Sequence, residues 1–510
     1  MDRRTFLQST MLAGASCLAP SALLAQPDSA QGGSPKPLAI HFQSGTHFPH
    51  VWEECVGSDR AVVGLREQWL SDLEVVKRAA GIRSVRFHGL FNDEMGVWPT
   101  GAKQPNFLYV DMVYDAMLDR GLKPFVELSF MPGALASGTR SLLWYGGNTT
   151  PPKDIAQWGE LVGALAKHCV DRYGIGRVSE WNFEVWNEPN IMFWSGTQAD
   201  YFELYRQSAT EIKQVDKRLR VGGPSTAYTG WVSDFLKFCA SQQLPVEFVS
   251  THIYPDDKQK LVFGRDDLHY PFEEVIPRAL AMVRDQIKTS ALPDAPLYLT
   301  EWSSQNPAFI AHTIAGCAGL SEMMSYWTFD SVYEELGVPK TFLSGTYGML
   351  GARGIKRPSF HTFSLLHRLG DTRLQTDEGP VLATRRSDGS LAILIWNLIP
   401  QPPGVRSSMG DPLSQNAAPY QRTGGSITLS LRLQDARKLR RAKVTRVDAA
   451  SINFKQAYEK MGSPAYPTEE QIEQLKRASE MSPSENLAAD HDGNFTVVLP
   501  ANGVALVECG

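Results

Sequence analysis

Residues 181–190 read Trp-Asn-Phe-Glu-Val-Trp-Asn-Glu-Pro-Asn. Trp181 to Trp186 form a short apolar run of β character that ends in the polar Asn187-Glu188-Pro189-Asn190. A second run, Leu297-Tyr298-Leu299-Thr300, ends in the same way, in Glu301-Trp302. Working outward, six further short runs have this texture: Phe48–Val56, Ser84–Leu90, Lys123–Phe130, Arg220–Gly223, Phe248–Tyr254 and Met323–Phe329. Between them lie helix-like stretches such as Leu65–Ala80, Tyr109–Arg120, Ile155–Tyr173, Ala199–Val215 and Phe272–Lys288. Eight alternations of strand and helix predict a (β/α)8 TIM barrel over residues 38–370, with extended loops.

Beyond residue 370 the pattern changes. Val381–Arg385, Leu391–Leu398, Ser426–Leu431 and Phe495–Leu499 read as short strands joined by Gly, Pro and Ser turns, which predicts a β-sandwich over residues 371–510. Thr468–Ser479 opens with a Thr cap and an acidic first turn and reads as a helix inserted in that domain.

The chain has 510 residues, 55 of them acidic and 50 basic, for a formal charge of −5. Such a mildly acidic balance without single-sign runs argues against a nucleic-acid partner. Residues 1–25 carry paired arginines, Arg3 and Arg4, ahead of an apolar run of small residues, the pattern of a twin-arginine export signal. Residues 26–37 have linker composition. No later segment is apolar for long enough to cross a bilayer, so the expected product is an exported protein, periplasmic or secreted, with no membrane partner once the signal is removed. Cys55, Cys169, Cys239, Cys317 and Cys509 are scattered and form no CxxC pair, which argues against a disulfide framework and a zinc site. They read as small buried apolar residues.

In a (β/α)8 barrel, chemistry belongs where strands end and loops begin. Glu188 and Glu301 stand at two such ends. Either alone could cap a helix or pair with an arginine. Two carboxylates beside aromatic residues suit glycoside hydrolysis, where one attacks the anomeric carbon and the other protonates the departing oxygen and later activates water.

FEVWNEPN (residues 183–190) and LTEWSS (299–304) resemble the acid/base and nucleophile motifs of family 39 glycoside hydrolases, which contain β-xylosidases and α-L-iduronidases. CVGSDRA from Cys55, VRFHGLFNDEMGVW from Val85, LSFMPGALASG from Leu128, STHIYP from Ser250, SYWTFDSVYEE from Ser325 and GIKRPSFHTFSLLHRLG from Gly354 resemble other segments of that family. The likeness extends to MGSPAYPT from Met461. It implies a retaining barrel enzyme with Glu188 as acid/base, Glu301 as nucleophile and Asn187 holding the sugar 2-hydroxyl. It also implies that His88 touches the glycone.

Period two puts His252 and Tyr254 on one face of the sixth strand, and Arg86 and His88 on one face of the second. Tyr254 is expected to donate to Glu301, and His252 to lie near the sugar or Glu188. Arg86 is expected to hold Glu301 ionised. For each of these the rival reading is a satisfied buried polar residue or a structural ion pair. Trp327 is a candidate stacking floor for the sugar, and Phe193 with Trp194 a candidate wall on the leaving-group side, although core packing would account for any of these rings. Glu334 and Glu335 follow the eighth strand, where either carboxylate could bind sugar hydroxyls. His41, His47 and His50 form a weak metal candidate without acidic or cysteine partners, so no metal is expected. No phosphate loop or dinucleotide fingerprint occurs, and no cofactor is expected.

Together these features point to an exported retaining exo-glycosidase of the β-xylosidase type, acting on an oligosaccharide or other glycoside. The alternatives are the same machinery on an α-L-iduronide or α-L-arabinoside, or a polysaccharide-binding protein without turnover.

Overall fold

A computed structural model of the chain describes residues 37–339, 341–343, 348–400, 424–434, 440–448 and 451–510. The proposed signal and all but the last residue of the linker lie outside these. The first strand, β1 (Leu38–His47), is followed by eight that close into a barrel: β2 (Val56–Arg60), β3 (Ser84–His88), β4 (Lys123–Leu128), β5 (Asn182–Val185), β6 (Arg220–Ala227), β7 (Phe248–His252), β8 (Leu297–Trp302) and β9 (Met323–Tyr326). Neighbours in the ring pair in parallel, and β9 returns to β2. Eight helices alternate with them: Glu67–Ala80, Leu108–Asp119, Ile155–Tyr173, Gln198–Val215, Val232–Ser241, Val275–Lys288, Pro307–Gly316 and Pro358–His367.

Parallel strands covered by helices are buried on both faces, which is why several of them, such as β4 and β8, read as apolar runs. In β3, Val85 and Phe87 join the apolar core between strands and helices, whereas Arg86 and His88 take the opposite face and are buried inside the barrel. The helices are stopped and started by local chemistry. Asp154 accepts the Ala156 amide to open Ile155–Tyr173, and Asn306 accepts two amides to open Pro307–Gly316.

Past the barrel, the strands β10 (Thr372–Thr376), β11 (Val381–Arg385), β12 (Leu391–Trp396), β13 (Ile427–Gln434), β14 (Arg441–Val447), β15 (Glu485–Ala488), β16 (Asn494–Leu499) and β17 (Val504–Cys509) form the C-terminal β-sandwich domain. Hydrogen bonding runs through one mixed sheet in the order β15-β14-β17-β12-β11-β10-β1-β13-β16. The expected helix is present at Glu469–Ala478, with a capping box between Thr468 and Gln471.

Two boundaries differ from expectation. Residues 38–47 belong to the sandwich, not the barrel: β1 lies antiparallel to β10 and parallel to β13, filling the gap between them. The first barrel strand is therefore Val56–Arg60, and only Val56 of the expected Phe48–Val56 lies in it. Phe48, Val51 and Trp52 are buried in the barrel core without being in a strand, so burial rather than β structure accounts for that apolar run.

The sheet shows why a strand can be apolar at every position. In β12, Leu391, Ile393 and Ile395 enter the sandwich core, while Ala392, Leu394 and Trp396 join the barrel core. In β17, Ala505, Val507 and Cys509 face the first and Val504 and Leu506 the second. One face of the sheet thus closes on itself and the other seats on the barrel. A polar contact crosses the same junction, where Asn306 Nδ2 donates to Asn502 Oδ1 at 3.0 Å. Cys55, Cys169, Cys239, Cys317 and Cys509 are buried and unpaired, as their spacing predicted.

Candidate active site

Side chains on the inner face of the barrel converge at the C-terminal ends of the strands. Arg86 from β3 is the hub, with no exposed surface. Its Nε donates to Glu184 Oε2 at 2.6 Å and its Nη1 to Glu301 Oε1 at 2.9 Å. Its Nη2 lies 2.8 Å from Glu127 Oε2 and donates to Asn187 Oδ1 at 2.9 Å and Ser225 Oγ at 3.2 Å. Burial by itself would depress the pKa of this guanidinium. The carboxylates of Glu127, Glu184 and Glu301 reverse that and raise it, so the cation is held charged in the barrel.

This network sets donors and acceptors around it. Arginine has only donors, so the Asn187 atom facing it is the carbonyl oxygen, and the Asn187 amide N–H groups are directed elsewhere. His252 Nε2 lies 3.3 Å from Ser225 Oγ and 3.5 Å from Arg86 Nη2, which makes it an acceptor and leaves Nδ1–H as the donor. That Nδ1 is 3.2 Å from Glu188 Oε1 and 3.5 Å from Glu301 Oε2.

Glu188 and Glu301 approach from strands on different sides of the ring. Beyond β5 the chain turns sharply, with Trp186 at φ 72° and Glu188 at φ 43°. Left-handed backbone at non-glycine residues is costly and persists where surrounding structure enforces it. Here the Glu188 amide is tied to the Ser225 carbonyl at 2.8 Å, and the turn brings the carboxylate back over the barrel mouth. Glu301 stays within β8 and accepts from Tyr254 Oη at 2.9 Å through Oε2. Glu188, Glu301 and His252 each place one polar atom within 4.8 Å of the others.

His88 lies on the other flank of Glu301. Its Nδ1 is 2.8 Å from Glu127 Oε2, and its Nε2 is 3.7 Å from Glu301 Oε1 and 3.5 Å from Glu335 Oε1. Burial disfavours the imidazolium, but Glu127 overrides it and pushes His88 up to about 9. Glu335 moves the same way for a different reason: burial, reinforced by Asp59 and Glu301, outweighs His88 and pushes its carboxyl up to about 8.

The aromatic candidates divide. Trp327 is buried, 4.6 Å from His88 between ring centroids. It can lie there because residue 57 is glycine, where a Cβ would come within 2.4 Å of its Cε3. Phe193 stacks on Phe130 at 6.1 Å and lies 6.2 Å from His88. Trp194 is instead packed edge-on against Trp186, with its Nε1 on the Thr197 carbonyl, which makes it a structural ring and not a pocket wall.

Of the two loop glutamates, Glu335 reaches the site. Glu334 does not: its Oε1 accepts from Arg66 at 2.7 Å and its Oε2 from Arg60 at 3.0 Å, so its charge is spent in an ion cluster. The three N-terminal histidines do not converge. His41 and His47 pair with Gln375 and Thr372 in the sandwich, whereas His50 contacts Glu53 and the Gly370 carbonyl.

Sequence reasoning missed Glu127, Glu184 and Ser225. A signal for the first two was present, since each is the one charged residue of an otherwise apolar half-strand, Phe125–Leu128 and Phe183–Trp186. Ser225 had none, because a serine at a strand end has no distinguishing pattern.

Among the described residues, one grouping brings histidine and carboxylate atoms as close as a metal site needs, and it is Glu188, His252 and Glu301. Its chemistry opposes a resident cation. His252 turns an N–H toward Glu188, and the Arg86 guanidinium already occupies one oxygen of Glu301.

A closed (β/α)8 barrel with two glutamates facing each other across its mouth, lined by donors and aromatic rings, defines a glycoside hydrolase. The chain belongs to glycosyl hydrolase family 39, whose sequence profile matches residues 40–496. It is 37% identical over 454 residues to a β-xylosidase of Caldicellulosiruptor saccharolyticus, covering 84% of this chain and 88% of that one. It is 33% identical over 489 residues to a β-xylosidase of Geobacillus stearothermophilus, covering 90% and 93%. The crystal structure of a monomeric β-xylosidase from Caulobacter crescentus CB15 superposes with a TM-score of 0.81 at 30% identity, over 93% of this chain and 99% of that one.

Proposed function

We propose that the protein is a retaining exo-β-xylosidase that releases xylose from the ends of xylo-oligosaccharides through a covalent glycosyl-enzyme. The observation that carries this reading is the approach of Glu188 and Glu301, with carboxylate oxygens within 4.8 Å. Retention places the two carboxyl groups about 5 Å apart, whereas inversion needs roughly 6.5–9.5 Å to fit a water between them. The β-xylosidases among its relatives supply the glycone, and they match over most of the chain. In sequence, the mouse α-L-iduronidase matches over only 29% of it.

Glu301 attacks the anomeric carbon while Glu188 gives its proton to the glycosidic oxygen, and the alcohol leaves. Glu188, now a carboxylate, takes a proton from water, whose oxygen attacks the same carbon and frees Glu301. Arg86 and Tyr254 hold one oxygen each of Glu301, which fixes the nucleophile against rotation. The Asn187 N–H groups serve the sugar 2-hydroxyl, since Arg86 takes the carbonyl end. His88, with Nδ1 committed to Glu127, offers Nε2–H to the glycone beside Glu335. Trp327 forms the floor, and Phe193, 6.2 Å from His88, borders the glycone beside it and not the leaving-group side.

An activated 2-deoxy-2-fluoro-β-xyloside tests the reading. Fluorine slows both steps, and the good leaving group rescues the first, so one xylosyl adduct should accumulate on Glu301, located by peptide mapping. A folded protein without adduct would end the assignment of glycone or nucleophile, and a panel of aryl glycosides would separate the two. The paired arginines of the leader further suggest export by the twin-arginine route to the periplasm or beyond, which a fusion to a reporter and a twin-lysine variant would test.

A further inference from the structure

We infer that the far end of the glycone pocket is closed by a bridge of loops locked on Arg60, with Trp144 at its rim, and that this bridge confines the enzyme to one terminal sugar per cleavage. The inference rests on the retaining exo-glycosidase reading above. Contacts run in order from Glu188 through His252 to Glu301, then to His88 and Glu335. The leaving group must lie beside the proton donor, Glu188, so the glycone extends toward His88 and Glu335. What stands behind Glu335 therefore decides whether a second sugar fits beyond the first.

Behind it stands a junction that the chemistry does not use. Arg60 closes the first barrel strand and is buried, with 3% exposure. Its Nε donates to Glu94 at 2.9 Å, in the loop after β3, and its Nη2 to Glu334 at 3.0 Å, in the loop after β9. Its guanidinium lies 4.5 Å from the ring centroid of Tyr145, in the hairpin after β4. Three loops are thus held by one side chain. The hairpin and the last loop also join directly, where the Trp144 amide donates to the Glu335 carbonyl at 2.8 Å. Trp144 remains 58% exposed, its ring over Gly337, where a Cβ would sit at ordinary contact distance, 3.4 Å from Cδ1. An exposed tryptophan next to a pocket residue contributes little to the core. At this place it narrows the exit from the glycone end.

The test compares wild type with Trp144→Ala and Arg60→Met on 4-nitrophenyl β-xyloside and 4-nitrophenyl β-xylobioside, with sugar products resolved by chromatography. Wild type should remove terminal xylose from the xylobioside and leave 4-nitrophenyl xyloside. Trp144→Ala should keep its activity on the monoxyloside and raise direct release of xylobiose about tenfold or more, as expected for loss of a steric barrier of about 1.4 kcal/mol. Arg60→Met should do the same with a raised KM, and if it fails to fold, the surface variant decides alone. Wild-type product ratios in Trp144→Ala, with full monoxyloside activity, would overturn the bridge as the specificity device. A wrong glycone would appear differently, as wild-type protein inactive on the monoxyloside, and the mono- and disaccharide aryl glycosides of the accepted sugar would then decide the bridge.

Discussion

Arg86 Nη1 lies 2.9 Å from Glu301 Oε1, so the second strand of the barrel and the seventh are joined across its centre by one ion pair. The same guanidinium touches Glu127 and Glu184. A cation buried among three carboxylates does more than orient one of them, because it allows the other two to be buried at all.

Replacing Arg86 should therefore affect stability and activity together. Arg86→Met leaves buried carboxylates uncompensated, at a cost of about 3–5 kcal/mol. Thermal unfolding should show a markedly lower Tm, and kcat on an aryl xyloside should fall at temperatures where the variant is still folded. An unchanged Tm would refute the hub.

Glu188→Ala should discriminate by leaving group. Loss of a general acid costs about 100- to 10,000-fold, and the cost is smallest where the leaving group needs no proton. Turnover of xylobiose should collapse, whereas cleavage of a dinitrophenyl xyloside should fall far less. Added azide should restore turnover by attacking the glycosyl-enzyme. Equal losses on the two substrates would remove Glu188 from the acid/base role.

Stability should fall as pH rises from about 6 to about 9. His88 is pushed up to about 9 in the fold from an ordinary value near 6.5, so the native state binds the extra proton. Its contribution is complete below the unfolded value and is lost as pH passes the folded one. Glu335, pushed up to about 8 from 4.5, acts in the same direction: above its unfolded value, keeping or removing that proton opposes folding. Unfolding midpoints measured across this range should decline, and Glu335→Gln should flatten the lower part of the slope. A midpoint that rises with pH would contradict both assignments.

Removing residues up to 47 should damage the sandwich, not merely a leader. Ile40 is fully buried in the sandwich core, and its strand separates β10 from β13. A chain starting at Phe48 should be much less stable than one starting at Pro37, and Ile40→Ala alone should cost about 2–5 kcal/mol. Chemical denaturation of the three proteins checks this; equal midpoints would mean that β1 is dispensable.

The barrel was legible in the sequence because most of its strands contain short apolar runs and several of its helices carry an apolar stripe, so the alternation shows even though the first strand, Val-Gly-Ser-Asp-Arg, has no such run. The two glutamates were legible because they break apolar runs at strand ends, and Arg86 and His88 because period two fixes the face of a side chain; Tyr254 reaches Glu301 as expected, but from two residues beyond the end of β7. Which partner each would meet was not. Glu334 and Glu335 are neighbours of identical type at a loop, and only the position of Arg60 and Arg66 decides that the first is neutralised while the second reaches His88.

The sequence alone determined the alternation of elements, the paired carboxylates and the break near residue 370, since these follow from short-range periodicity and side-chain chemistry. Tertiary structure decided the rest: that β1 leaves the barrel to complete a sheet formed more than 300 residues later, that Trp194 is packed while Trp327 faces His88, and that one arginine serves three acids. Those outcomes depend on which distant residues compete for the same space and charge, and no local pattern encodes that competition.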